Sequence, residues 1–288
     1  MDGLSICIPV YNFNCINSVK SLCNEIQALN LTAEVLVVDD ASNQELSDLV
    51  EFKNPNYKYE SLEHNIGRSK IRNYLAQKSK YSHIIFIDGD SGIQENFLSS
   101  YLFALSKYED CIIYGGTTQT KETNKTKGLR YNYSNQFEFK KAFKRNERPF
   151  INFRTNHFAV SKEVILRTPF NENLKQYGHE DTFFAYQMRF MQVKIVHIDN
   201  PVIHYDVTNN SDFIKKTKES IENLILLYKE NPEFIEYNEL LKFVKTNKIL
   251  NYKILDYKIL DYKILNYKIF VSLICQRTDD YYGFILKS

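Results

Sequence analysis

Two aspartates flank a glycine at Asp88-Gly89-Asp90, directly after an apolar run at residues 83–87. A glycine between two acids lets the backbone turn tightly and bring both carboxylates towards one point. Hard divalent ions such as Mg²⁺ or Mn²⁺ take oxygen ligands, often one or two carboxylates plus substrate phosphates. An Asp-Gly step is also an ordinary turn, so its company decides. That company is Asp39-Asp40 and Asn12, further acidic or polar positions at the ends of apolar runs. Farther on, Gly178-His179-Glu180-Asp181 opens a helical pattern. Acids at a helix start cap it and oppose its dipole. The same positive end would keep a carboxylate ionised and able to take a proton from a hydroxyl. Two adjacent acids, Glu180 and Asp181, leave open which of them is that base.

His204 follows a strand-like run at 194–198 and Asn200-Pro201. A lone histidine is more often a packing or surface residue, but it could supply a nitrogen to the same metal. His197 and His179 are weaker candidates. Asn65, Gly67, Arg68 and Arg72 combine a turn, a helix start with Ser69 as cap, and two guanidinium groups. Helix N-termini and arginine both favour phosphate, and a plain strand-to-helix turn with solvated arginines would read the same way. No Gly-x-x-x-x-Gly-Lys sequence is present, and no Gly-x-Gly-x-x-Gly follows the first apolar run. This counts against a P-loop enzyme and a dinucleotide-dependent dehydrogenase.

These residues need elements to hold them. Short apolar runs at 4–10, 34–38, 57–62, 83–87 and 111–114 alternate with helical spacing at 18–29, 44–52, 69–78 and 94–107. That rhythm predicts an α/β fold with a mainly parallel sheet and helices on both faces. The runs are nearly continuous in apolar character, as expected of strands covered on both sides. In open α/β sheets ligands bind at the carboxyl ends of strands, which is where the polar motifs fall. Residues 117–149 have little periodicity and many cations, among them Lys121, Lys125, Lys127, Arg130, Lys140, Lys141, Lys144, Arg145 and Arg148. They read as a long mobile segment or lid. Order returns over 150–161, followed by a short helix, a helix at 180–191, a strand at 194–198, and amphipathic helices at 211–230 and 237–246.

A five-residue repeat follows, beginning at Asn251, Asp256, Asp261 and Asn266, each start leading into Tyr-Lys-Ile. The period is too short for a solenoid unit, which needs about 20 residues or more. Five residues advance a helix by about 500°, so no single apolar stripe persists. The expected division is a catalytic domain over 1–210, a helical extension over 211–246 and a low-complexity tail over 247–288. The tail could mediate self-association or membrane-surface contact, or it could be compositional drift, which is the plainer account.

Composition bounds the rest. In 288 residues, 43% are apolar and 25% charged, with a net charge of +2. These are ordinary values for a globular protein, and the charge is too small to suggest a nucleic-acid binder. The five cysteines form no Cys-x-x-Cys pair, which argues against a disulfide framework or structural zinc site and for a reducing compartment. The N-terminus lacks the basic start and apolar stretch of a signal peptide. No apolar run approaches the roughly 20 residues that span a bilayer. The expectation is a cytoplasmic protein, with peripheral attachment at the inner face of the cell membrane left open.

With these residues in place, the chain resembles the family 2 glycosyltransferases, which have the GT-A fold. The resemblance is carried, in order, by residues 5–12 (Ser-Ile-Cys-Ile-Pro-Val-Tyr-Asn), 34–42, 65–73, 86–90 and 178–181. It implies that Pro9, Tyr11, Asp40 and Asp39 line a nucleotide pocket, with Asp40 facing the base. It implies that Arg72 and Arg68 also serve the nucleotide. Asp88-Gly89-Asp90 is similar to the family's Asp-x-Asp motif, with Asp90 the stronger metal ligand and Asp88 nearer the ribose. Asp181 matches the catalytic base of the Glu-Asp motif, and His204 is a looser match to a metal-binding histidine. The resemblance further implies an inverting transfer from a nucleotide-diphosphate sugar, with UDP the expected nucleotide and Mn²⁺ or Mg²⁺ the cofactor. The acceptor would be a glycan or lipid-linked hydroxyl, with Asn152, Asn156 and His157 on its side. One feature departs from processive members: there is no tryptophan, and the region after Asp181 shows only Gln187-Met188-Arg189-Phe190. A single-addition enzyme of bacterial surface glycan synthesis is therefore the expectation.

Two other readings compete. A sugar-phosphate nucleotidyltransferase would carry a Gly-rich loop after the first strand, where this chain has Val10-Tyr11-Asn12-Phe13-Asn14. A non-enzymatic self-associating scaffold would need the tail to act and leaves the acidic constellation unexplained.

Overall fold

The computed structural model describes residues 2–119, 130, 133–205, 209–238 and 241–242. The cations Lys121, Lys125 and Lys127, most of the helix expected at 237–246 and all of the repeats lie outside the described residues. The first half follows the expected alternation: β1 (Leu4–Val10), α1 (Ile16–Ala28), β2 (Ala33–Asp39), α2 (Ser47–Glu51), β3 (Tyr57–Ser61), α3 (Arg68–Lys78) and β4 (His83–Ile87). There follow β5 (Ser91–Gly92), α4 (Phe97–Lys107), β6 (Cys111–Tyr114), β7 (Thr117–Thr118), α5 (Ala142–Arg145), β8 (His157–Ser161) and α6 (Lys162–Arg167). The last elements are α7 (Glu180–Phe190), β9 (Lys194–His197), β10 (Val202–His204) and α8 (Asn210–Glu230).

Seven strands form the main sheet in the order β3-β2-β1-β4-β8-β6-β9. All its pairings are parallel except those of β8, which runs antiparallel to β4 and β6. Alternate strand residues feed two cores, as the two-residue period of a strand requires. Leu4, Ile6 and Ile8 of β1 pack with Val19, Leu22 and Ile26 of α1 and Phe97 and Tyr101 of α4. Cys7, Leu36 of β2 and Phe86 of β4 pack on the other face with Ile71 and Leu75 of α3 and Phe184 and Met188 of α7. Both faces are covered, which is why the strands read as continuous apolar runs.

The structure corrects several boundaries. β8 is a central strand that the periodicity does not separate from the ordered stretch before it. A second sheet, β5-β10-β7, is built from strands of two or three residues, too short to leave a pattern. Residues 94–96 are not helical, because β5 precedes them and Asn96 is left-handed at φ 60° where α4 begins. The cationic stretch is not structureless where it is described: Ser134–Glu138 is a π-helical turn and α5 follows. Arg145, read as one of the many cations of a long mobile segment or lid, is 3% exposed. Its Nη2 donates to Gly115 O (2.9 Å) and Ile198 O (2.6 Å), and its Nε donates to His197 Nδ1 (3.2 Å). It braces the loops after β6 and β9.

The chain divides into two compact units, Met1–Leu224 and Ile225–Ser288. In the second, a 3₁₀ turn at Pro232–Glu236 buries Phe234 and Ile235. Among the described residues, no helix is long and apolar enough to cross a membrane.

Candidate active site

Every strand end of the parallel half contributes to one region. At the end of β1, Tyr11 is 49% exposed and Asn12 is left-handed at φ 54°. Asn12 N donates to Ser42 Oγ (2.7 Å), Asn43 N donates to Asn12 Oδ1 (2.7 Å), and Asn43 Nδ2 donates to Tyr11 OH (3.2 Å). The loops after β1 and β2 are clasped together by these side chains. The helix expected from residue 44 starts only at Ser47, so the loop that carries Asn43 runs on through residue 46.

Asp39 and Asp40 are both buried and both committed to the scaffold. Asp39 Oδ1 accepts from Ser42 N (3.0 Å) and Ser42 Oγ (2.5 Å), and its Oδ2 accepts from Tyr59 OH (3.1 Å). Asp40 accepts from Ile66 N (2.6 Å) and Gly67 N (3.0 Å), while Asn65 Nδ2 donates to Asp40 O (3.0 Å). Burial raises the Asp40 pKa, with these amide donors acting against it and the Asp39 charge reinforcing it. The pair therefore ties the turn before α3 to the end of β2. Gly67 stands at φ 87° there, a conformation that L side chains rarely adopt.

The acidic turn is pinned from three directions. Gly89 N donates to Pro9 O (3.2 Å), Asp88 N donates to Asn156 O (2.7 Å), and Tyr205 N donates to Asp90 O (3.1 Å). Gly89 lacks a positive φ, so flexibility is not its role. A Cβ there would lie 3.0 Å from Val10 Cγ2 and 3.1 Å from Pro9 O; the turn needs a glycine because it touches β1.

The two aspartates then part company. Asp88 Oδ1 accepts from Arg72 Nη2 at 2.6 Å. Arg72 is 2% exposed, and its Nη1 lies 4.0 Å from Glu180 Oε1, which Arg68 Nη1 also approaches at 3.9 Å. Burial raises the Asp88 pKa against the pull of Arg72, and the Asp90 charge adds to the rise. Asp90 instead faces β10: its Oδ2 is 3.7 Å from His204 Nε2, because β10 pairs antiparallel with β5 and sets His204 opposite Ser91. Among the described residues no three His, Cys, Asp or Glu side chains converge on one point. Asp90 and His204 offer one carboxylate and one imidazole, a donor set that fits a divalent ion completing its shell with phosphate oxygens and water.

The start of α7 supplies the last pair. His179 is left-handed at φ 68° and follows Gly178 at φ 91°. This kink turns two adjacent acids in different directions. Glu180 goes inward to the arginines; burial first, then the Asp181 charge, raises its pKa. Asp181 remains 18% exposed at its side chain and faces Arg154, whose Nε is 3.5 Å from Asp181 Oδ2. Burial lowers the His179 pKa to about 4, so the ring is neutral at physiological pH, and its Nδ1 is buried without a hydrogen-bond partner. Arg72 Nε, Ser69 Oγ, Ser91 Oγ and Asn156 Oδ1 are likewise buried without partners. Such atoms are rare unless a ligand or water completes them. Sequence reasoning missed Asn43, Arg154 and Glu138, whose partners lie far away in the chain and leave no local spacing to read.

A sheet of this topology, with the acidic turn at its switch point, is the GT-A fold. The profile of Glycosyl transferase family 2 matches residues 5–170, and the chain belongs to that family. It is 22% identical over 252 residues to EpsH of Bacillus subtilis, a protein named as a glycosyltransferase; the match covers 83% of this chain and 71% of that one. It is 26% identical over 225 residues to the chondroitin synthase of Pasteurella multocida, covering 65% of this chain and 23% of the synthase. A teichoic acid poly(glycerol phosphate) polymerase of Staphylococcus epidermidis is 25% identical over 189 residues, with 62% and 25% covered. The chain thus spans about a quarter of these two larger relatives. Among solved structures, S. aureus TarS 1-349 superposes with a TM-score of 0.55 at 19% identity, covering 96% of this chain and 82% of that one. The mannosyltransferase PcManGT of Pyrobaculum calidifontis, in complex with GDP-Man and Mn²⁺, gives 0.56 at 13% identity, with 94% and 80% covered. The chain is a glycosyltransferase related to polysaccharide synthases and teichoic acid polymerases.

Proposed function

We propose that this protein transfers a single sugar, with inversion, from a UDP-linked donor to a hydroxyl of a glycan or lipid-linked acceptor in bacterial surface polysaccharide synthesis. The observation that carries the reading is the division of labour between the acids. Asp90 beside His204 faces the donor side, while Asp181 alone of the Glu-Asp pair stays open for an acceptor. The nucleotide would lie across the ends of β1 and β2, against Pro9, Tyr11, Asn12 and the loop held by Asp39 and Asp40. Asn65, Gly67, Arg68 and Arg72 would flank the ribose and diphosphate beside Asp88 and Gly89. Asp90 and His204 would hold Mn²⁺ or Mg²⁺, with Asp88 contributing from the Arg72 side. When bound, the ion supplies Lewis-acid charge opposite the leaving diphosphate. Asp181 takes the proton of the acceptor hydroxyl, which attacks from the face opposite the leaving group. Support for a metal and a uridine donor comes from relatives of the same fold, including a mycobacterial glucosyl-3-phosphoglycerate synthase crystallised with Mn²⁺ and UDP and TarS crystallised with UDP-GlcNAc.

The proposed division is a catalytic unit over 1–210, a helical extension over 211–246 and a repeat tail over 247–288, and every residue assigned a role here precedes Tyr205. A thermal-shift screen of nucleotide sugars with and without Mn²⁺ tests the donor. A donor at about 100 times its Kd should stabilise the protein by about 2.7 kcal/mol. Asp90→Ala should lose the Mn²⁺-dependent shift. Asp181→Asn should keep the shift and lose transfer; normal transfer by that variant would refute the base assignment.

A further inference from the structure

The two oxygens of Asp181 are held differently. Oδ1 accepts from Thr182 N at 2.6 Å and from Thr182 Oγ1 at 3.1 Å. Oδ2 has Arg154 Nε at 3.5 Å, beyond the ordinary range of a charge-assisted hydrogen bond. Oδ2 therefore keeps a lone pair for an incoming proton while a fixed positive charge stands beside it. The guanidinium is itself tethered: Arg154 Nη1 donates to Phe153 O (2.6 Å) and Ile151 O (3.1 Å). Phe153 is fully buried against Phe158 and Phe184, so the loop that carries Arg154 is anchored in the core. Two residues on, Asn156 O accepts the amide of Asp88. One short loop thus touches the acidic turn at one end and the Glu-Asp motif at the other.

We propose that Arg154 is the positioning residue of the catalytic base: it fixes the Asp181 carboxylate with Oδ2 towards the acceptor and sets a tethered positive charge beside it. The inference rests on reading Asp181 as the base. Arginine suits this role better than lysine, because Nη1 holds the two carbonyls while Nε, fixed in the same plane, faces the carboxylate, whereas lysine concentrates its donors on one nitrogen. The surroundings agree. On its own helix Asp181 has Glu180, turned away to Arg68 and Arg72, and His179, neutral at physiological pH. From the π-helical turn, Tyr133 and Glu138 stand in the same field. Glu138 is neutralised locally: its Oε1 accepts from Arg130 Nη1 (3.0 Å) and its Oε2 from Ser134 Oγ (2.9 Å). Despite its burial, these partners and Arg154 hold the Glu138 carboxyl below the usual range. Arg154 therefore has Asp181 as its first carboxylate partner and Glu138, already paired with Arg130, as its second.

The test is a carboxylate NMR titration of full-length protein labelled at aspartate, with Asp181→Asn identifying the Asp181 signal. An opposite charge at this range shifts a carboxylate by about one unit or more. Arg154→Gln should raise the Asp181 midpoint by about one unit and lower kcat at least about tenfold, with Mn²⁺-dependent UDP affinity unchanged. Transfer is read as UDP released from the UDP-sugar giving the largest Mn²⁺-dependent thermal shift. Arg154→Lys keeps the charge and loses the fork. It should leave the midpoint in place and recover only part of kcat, and it serves as the second variant if Arg154→Gln does not fold. An unmoved midpoint in folded Arg154→Gln, or full kcat in Arg154→Lys, overturns the proposal. Normal transfer by Asp181→Asn with a shifted midpoint in Arg154→Gln would instead overturn the base reading and leave the ion pair standing.

Discussion

Asp88 and Asp90 are two positions apart, identical in type, and surrounded by opposite things. Asp88 meets a guanidinium that is almost wholly buried, while Asp90 meets a half-open imidazole on another strand. Their substitutions should therefore fail in different ways. Asp90→Ala should fold with near-normal stability, since it removes a partly exposed carboxylate whose His204 contact is as long as 3.7 Å. Asp88→Asn should leave buried Arg72 with Glu180 at 4.0 Å as its carboxylate partner among the described residues, beside Arg68 O at 3.4 Å. Breaking a buried ion pair from one side costs about 3–5 kcal/mol; with Asp88 24% exposed at its side chain, about 2 kcal/mol is the expectation. Urea denaturation of both variants reads the difference, and equal losses would show that the pairing seen here does not govern stability. At this scale the sequence was informative about residue types and silent about partners. Asp-Gly-Asp, Glu-Asp and the two arginines were legible as a set. That Arg72 bridges Asp88 and Glu180, or that Arg154 stands on Asp181, depends on contacts across 16 or more positions, which no local spacing records.

The elements explain what was legible and what was not. Long apolar strands announce themselves, because burial on both faces leaves no room for polar alternation. β1, β2, β3, β4, β6 and β9 were read within a residue or so of their observed bounds. The strands that deliver His204 are different. β5, β7 and β10 run two or three residues each, shorter than one full alternation of a buried pattern, and their order follows from pairing alone. The cationic stretch misled in the same way: its charges look solvated, yet Arg145 is an internal brace with carbonyl partners on two loops. Gly89 shows the opposite case, a residue legible as important for a different reason from the one observed. A Cβ at Gly89 would lie 3.0 Å from Val10 Cγ2 and 3.1 Å from Pro9 O, so in Gly89→Ala the end of β1 has to give by a few tenths of an ångström. Overpacking of this kind costs about 1–3 kcal/mol. The expected result is a destabilisation in that range together with weakened UDP binding, since the same backbone carries both strand ends. A variant that lost stability but bound UDP normally would separate the turn from the nucleotide pocket.

At the scale of the whole molecule, the site hangs on a framework that depends on neutral histidines. His157 is fully buried between Tyr101 OH (2.7 Å at Nδ1) and Gly116 O (2.6 Å at Nε2). Burial lowers its pKa to about 3, and burial lowers that of His197 to about 4. His157 holds the loop after β6 through Gly116 O, His197 accepts from Arg145 Nε and donates to Pro149 O, and both rings must shed a proton to fold. An unfolded histidine titrates near pH 6.5. Below that pH the unfolded chain binds protons that the native rings refuse, so stability falls as pH drops from about 6.5 towards 4. The slope is about 1.4 kcal/mol per pH unit for each ring once the unfolded histidine is fully protonated. Asp40, Asp88 and Glu180 have raised pKa values and act in the opposite sense, taking protons earlier in the native state. These carboxyls are common to the parent and to a histidine variant, so the difference between the two isolates the histidine effect. Unfolding free energies from urea titrations at pH 7.5, 6.5, 6.0 and 5.5 should decline progressively below 6.5. In His197→Asn, which keeps a polar side chain near Arg145 but cannot titrate, the decline should be shallower, even though the variant starts from lower stability. If the two curves ran parallel, His197 would have to be carrying its proton in the native state, and the brace built on Arg145 Nε donating to a neutral ring would be wrong.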